Sequence, residues 1–133
     1  CFVSNKNFKF NSDIEREVMV MLAGHVAERV ILNDYACGSS CDIMAAVRQI
    51  REQLTTEAAY GYEYMLPLSV GEPVSDAILR SCEKKTAEIL SALDKKVETI
   101  IRDNRELLMK IVGKLEKKYI LSKEELLEIK NAA

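Results

Sequence analysis

Four side chains in one stretch of the sequence, His25, Cys37, Cys41 and Asp42, are of types that do chemistry. His25 is the only histidine of the chain, and imidazole and thiolate are the commonest zinc ligands. Cys37 and Cys41 lie four apart and invite a zinc site with His25, but no paired Cys-x-x-Cys accompanies them. The ordinary role of such cysteines is small-residue packing. Asp42 belongs to the run Cys37-Gly38-Ser39-Ser40-Cys41-Asp42-Ile43, where one apolar helix ends and the next begins. Gly38 suits a left-handed turn, and Ser39 suits an N-cap. Three residues on, Asp42 can reach back to the cap amide and meet the positive end of the helix dipole. Capping alone accounts for the residue.

The surrounding text adds a second reading. Met21-Leu22-Ala23-Gly24-His25-Val26-Ala27-Glu28-Arg29 precedes the Gly38-Ser39-Ser40-Cys41-Asp42-Ile43 turn, and a helical run then carries Arg48 and Arg51 to Tyr60-Gly61. This order resembles the peptidase domain of the FtsH family, membrane-anchored ATP-dependent zinc proteases. There a Leu-Gly/Ala-Gly-Arg-x-Ala-Glu segment precedes a Thr-Gly-Ala-x-Asn-Asp-Leu turn. Asp103-Asn104-Arg105-Glu106-Leu107-Leu108 and Leu121-Ser122-Lys123-Glu124-Glu125-Leu126 extend the resemblance along nearly the whole chain. Two positions depart from the pattern: His25 stands where the family has Arg, and Cys41 where it usually has Asn.

The resemblance implies that Asp42 is the third protein ligand of a catalytic zinc. The other two ligands in the family are imidazoles of a His-Glu-x-x-His helix, whose glutamate deprotonates the metal-bound water that attacks the peptide carbonyl. A chain with one histidine does not contain that helix. Since it opens on Cys1, it is expected to be an excised fragment that begins downstream of the catalytic motif, with no catalytic residue of its own and inactive in isolation. The parent is then expected to hold zinc here, to use ATP and magnesium in a separate ATPase domain, and to work as a homo-hexamer. It would degrade unfolded or membrane proteins in quality control. This domain would lie on the cytoplasmic, or organelle matrix or stromal, side of a membrane reached only through other segments. Glu28 matches an acidic residue of the family and reads as structural, as does His25 on an apolar helix face.

Composition sets the outer limits. At 133 residues the chain has the size of one domain, 1–133, able to bury a core without staples. With 19 basic and 21 acidic residues and no basic block, it carries no electrostatic footprint of a nucleic-acid binder. No apolar run approaches the roughly 20 residues that cross a bilayer, so the piece itself is expected to be soluble. Four cysteines among 30% charged residues do not make a secreted disulfide framework.

The periodicity predicts an all-α helical bundle with one long helix and at most a short hairpin over 1–10. A first helix spans 12–33, opened by a Ser12-x-x-Glu15 box, with Ile14, Val18, Met21, Leu22 and His25 on its inner face. Ala23, Gly24 and Ala27 leave room for a neighbouring helix. A second helix, 39–60, turns Ile43, Val47, Ile50 and Leu54 inward. Pro67, Gly71 and Pro73 break the connection over 61–73. From Ser75 a helix of about 28 residues, about 40 Å long, carries the seam Ile78, Cys82, Thr86, Ile89, Leu93, Val97 and Ile100. It breaks near Asp103-Asn104, before a new stripe of Leu107, Leu108, Ile111 and Leu115. Ser122 opens the last helix in a box with Glu125, burying Leu126, Leu127 and Ile129. A helical interaction or assembly module, or a family member that never had the catalytic helix, would fit these elements as well.

Overall fold

In the computed structural model the described residues are 9–34, 37–57, 59–61, 73 and 75–132. They form five helices and no strand: α1 (Asn11–Leu32), α2 (Ser40–Thr55), α3 (Asp76–Asp103), α4 (Arg105–Lys118) and α5 (Lys123–Asn131). The all-α expectation holds. The short hairpin expected over 1–10 falls almost wholly outside the described residues, as does most of the connection over 61–73.

Helices α1, α2 and α3 pack on one another and hold the core, while α4 and α5 pack together beyond the end of α3. The core rows advance by four. Ile14, Val18, Leu22 and Val26 of α1 meet Ala46, Ile50 and Leu54 of α2 and Cys82, Leu93 and Val97 of α3. Residues four apart stack on one helix face, so each helix offers a ridge that its neighbours can grip. Two of the expected faces are therefore rotated. On α2, Ile43 and Val47 sit at the margin and Ala46 is fully buried, because the row runs straight back from Ile50. On α3 the row passes from Val97 to Ile101, which leaves Ile100 52% exposed.

The helix ends follow local chemistry, not always the expected one. α1 starts one residue before Ser12, and it is Asp13 Oδ2 that accepts the Phe10 N–H at 3.1 Å. Glu15, assigned to the Ser12 box, instead accepts from Tyr60 Oη at 3.1 Å. α1 stops at Asn33, whose φ of 52° is a left-handed conformation that asparagine tolerates. Gly38 is not left-handed; it lies in a single 3-10 turn, Cys37–Ser39, and Gly61 with φ 91° takes the left-handed place after α2. Gly24 faces open space and receives no neighbouring helix. α2 ends at Thr55, short of the expected 60.

The long helix has the 28 residues expected, and Asn104 closes it and opens α4. The Asn104 amide donates to Ile100 O, and Leu108 N–H donates to Asn104 O, so one residue serves both ends. Ser122 and Glu125 form the expected box: Ser122 Oγ accepts from Glu125 N–H at 3.2 Å and Glu125 Oε2 accepts from Ser122 N–H at 2.8 Å. Leu126 and Leu127, expected inside, are exposed, and of α5 Ile129 alone is buried, because among the described residues α5 packs mainly on α4.

Polar ties cross the core. Arg29 donates to both Asp94 oxygens, at 3.2 and 2.7 Å, and to Glu98 at 3.0 Å, clamping α1 to α3. The bidentate contact with Asp94 holds the guanidinium charged, while Arg102 and then Arg29 keep Glu98 below the usual carboxylate range. At the far end Glu15 accepts from Tyr60 Oη and faces Lys96 Nζ at 3.8 Å. Burial, with Glu15 beside it, pushes the Tyr60 phenol up to about 12.

A phenol that holds its proton more tightly in the fold than in the unfolded chain gives stability that is complete below about pH 10. That stability is lost as pH rises through about 12. In denaturant unfolding, the stability of wild type relative to Tyr60→Phe is therefore expected to be constant around neutral pH and to fall as pH rises from about 10 through about 12. Parallel profiles would show that Tyr60 Oη contributes nothing through its proton.

Candidate functional site

Each side chain of the chemistry-bearing stretch occupies a definite place. Asp42 lies exposed in the first turn of α2, at the edge of the molecule where α1 gives way to the 3-10 turn. Ser39 is the N-cap residue of α2, but its side chain makes no cap hydrogen bond, so the expected Ser39 and Asp42 box is not formed. Instead Ser39 Oγ lies 3.0 Å from His25 Nδ1, a hydrogen bond from α1 across to the turn. The cap is replaced by a tertiary contact. His25 is half-buried, one residue before the core residue Val26, and so belongs to the margin of the α1 face.

The cysteines divide. Cys41 is exposed beside Asp42, and Cys82 is buried in the core on α3. Burial pushes the Cys82 thiol up, away from the thiolate form that a nucleophile uses. The side chain of Cys37 lies outside the described residues. Glu28 sits half-buried on α1, one residue before the clamp residue Arg29.

Zinc is held by three or four donors at about 2.0–2.3 Å. Among the described residues no three His, Cys, Asp or Glu side chains gather for a metal. Asp42 therefore fits zinc as one donor of a set and not as a site, and the described residues support no reaction step at a metal. What they supply is an outward-facing carboxylate at the start of a helix whose other end is fixed in the core.

Along α2 from Asp42, a shallow depression of about 390 Å³ is lined by Ile43, Met44, Val47, Arg48, Arg51, Glu52 and Thr55. Its apolar floor comes from the residues that the rotation of α2 leaves at the core margin. Sequence reasoning put Ile43 and Val47 inside and so passed over this surface. It also passed over the pairing of His25 with Ser39, since the residues are 14 apart and no local pattern joins them. Among the described residues no helix is long and apolar enough to cross a membrane.

No family model matches the chain. Three curated proteins are similar to it along most of its length. It is 32% identical over 126 residues to the ATP-dependent zinc metalloprotease FtsH of Clostridium perfringens, a match that takes in 85% of this chain and 17% of that protein. It is 26% identical over 137 residues to the protein of the same name from Caldicellulosiruptor bescii, covering 91% of this chain and 22% of the relative. With ATP-dependent zinc metalloprotease FtsH 1 of a Thermoanaerobacter species the identity is 25% over 143 residues, covering 96% and 23%. The chain is thus similar to proteins named ATP-dependent zinc metalloprotease FtsH and spans about a fifth of their length.

Proposed function

We propose that this chain is a portion of the peptidase domain of an FtsH-type ATP-dependent zinc metalloprotease, and that Asp42 presents a carboxylate oxygen to its zinc. The observation that carries the reading is the exposed Asp42 in the first turn of α2, within a turn that resembles the family's Asp-bearing motif. Similarity to three FtsH proteins over 85–96% of the chain supports the same reading. An aspartate there lends the metal negative charge, and two neutral imidazoles from elsewhere in the complete protein would leave a coordination position open for water. Zinc, when bound, supplies the activated water; this chain orients one ligand. ATP hydrolysis, protein substrates, a hexameric ring and membrane attachment belong to the same proposal for the complete protein.

A part in assembly is favoured by α4 and α5, which leave Met109, Leu115, Tyr119, Ile120 and Leu127 exposed at one end of the molecule. Such a surface suits contact with further protein. Chelation tests the catalytic reading against a purely structural one. Proteolysis of an unfolded substrate by the complete protein with ATP is expected to stop when a chelator removes the metal and to return with added zinc. A complete protein with no proteolysis, or with proteolysis indifferent to chelation, would overturn the reading.

A further inference from the structure

We infer that His25 is a positioning residue for Asp42: its ring holds the turn before α2 on α1, and so fixes where the Asp42 carboxylate points. The inference rests on the proposed reading of Asp42 as a functional carboxylate, but its structural half stands without it.

Packing holds the two ends of α2 unequally. The buried residues of α2 are Ala46, Ile50 and Leu54, whereas Ser40, Cys41, Asp42 and Met44 are exposed. The core therefore grips the helix from its second turn onward and leaves the first turn, with Asp42, outside. Helix ends without packing or caps fray, opening at little cost relative to the core. Ser39 does not close this end from its own side chain. The polar tie between Glu17 and Gln49 Nε2, at 2.9 Å, lies one turn past Ala46, too far along to order the first turn.

The contact of His25 Nδ1 with Ser39 Oγ lies at the right level. It reaches from α1 to the residue immediately before α2, three positions from Asp42, at 3.0 Å. The hydroxyl donates to a bare Nδ1 and accepts from a protonated one, so the bond is satisfied by either tautomer. On the α1 side the histidine is anchored by its neighbour Val26, which is fully buried. The bond therefore ties the turn to a helix held in the core. A ligand must be held within about half an ångström of its working place to serve a metal, and a frayed first turn does not do that.

The test has two arms. In the first, amide hydrogen exchange is measured by NMR on the full 133-residue chain. His25→Ala and Ser39→Ala are each expected to speed exchange over residues 38–43 by about three- to tenfold. The double variant is expected to go no faster than either single one. His25→Asn, whose amide nitrogen falls near the place of Nδ1, is expected to return the rates to within about twofold of wild type. Exchange at Ile50 and Leu54 is expected to stay unchanged in all of them. Unchanged rates over 38–43, or effects that multiply in the double variant, would overturn the pin.

In the second arm, zinc affinity of the complete protein is read by competition with a chromogenic chelator. His25→Ala is expected to weaken it about tenfold and His25→Asn to restore it, in line with the loss typical of a partner that orients a ligand. If Asp42→Asn removes zinc while His25→Ala leaves the affinity as in wild type, the positioning role is overturned. If Asp42→Asn leaves zinc in place while the exchange pattern holds, it is the reading of Asp42 that fails, and the pin remains.

Discussion

Replacing Ile50 by alanine is expected to lower the stability of this protein by about 2–5 kcal/mol, whereas Met44→Ala, on the same helix, is expected to cost less than about 0.5 kcal/mol. Ile50 is 0% exposed in the row Ala46, Ile50, Leu54, where α2 meets α1 and α3, and Met44 is 63% exposed. Truncating Ile50 removes its transfer free energy and leaves a cavity that three helices, each fixed by its own buried row, cannot close. Met44 lies over the depression on the outer side of α2 and loses little when cut back. Against a total of about 5–15 kcal/mol, a loss of that size is a substantial fraction of the net stability. Urea unfolding followed by circular dichroism checks both. Similar midpoints for the two variants would mean that α2 packs by a different face.

That contrast also marks where sequence reasoning reached its limit. Ile43, Val47, Ile50 and Leu54 alternate by four and three, and such a row reads as one inner face. In the fold the row goes straight from Leu54 through Ile50 to Ala46, because residues four apart form the ridge that neighbouring helices grip. Alanine carries little hydrophobic signal, and its place in the row depends on how closely α1 and α3 approach, which no local pattern records. The same drift moved the α3 row from Ile100 to Ile101.

Helix existence was legible throughout, and boundaries were legible where a cap is chemically specific. The Ser122 and Glu125 box and the double role of Asn104 came through because the partners lie within one turn. At Ser12 and Ser39 equally good cap residues did not cap: Asp13 took the amide at the first, and His25 took the hydroxyl at the second. Serine serves a local cap or a distant acceptor equally well, and only the fold decides between them. Of the candidate site, the place of Asp42 in the first turn of a helix was legible from the turn before it. The His25 contact and the Arg29 clamp on Asp94 and Glu98 were not, since each joins helices across 14 to 69 positions of sequence.

The largest functional effect is expected at Asp42, and Asp42→Asn in the complete protein separates its two readings most cleanly. As a residue of the first turn only, Asp42 contributes through the helix dipole, about 0.3–1 kcal/mol for an exposed carboxylate. Asparagine keeps the size and loses the charge, so the fold would barely register the change. As a zinc ligand, Asp42 supplies the anionic oxygen of the set, and an amide oxygen is a poor replacement for a carboxylate on that metal. The decisive measurement is zinc content and peptidase rate, set beside the thermal midpoint and ATP hydrolysis, in this one variant. Zinc and peptidase activity are expected to be lost, the latter at least about a hundredfold in rate, with the midpoint within a few degrees of wild type and ATP hydrolysis intact. A variant that keeps full zinc and a near-normal peptidase rate would contradict the ligand reading and leave Asp42 an ordinary residue at the start of a helix.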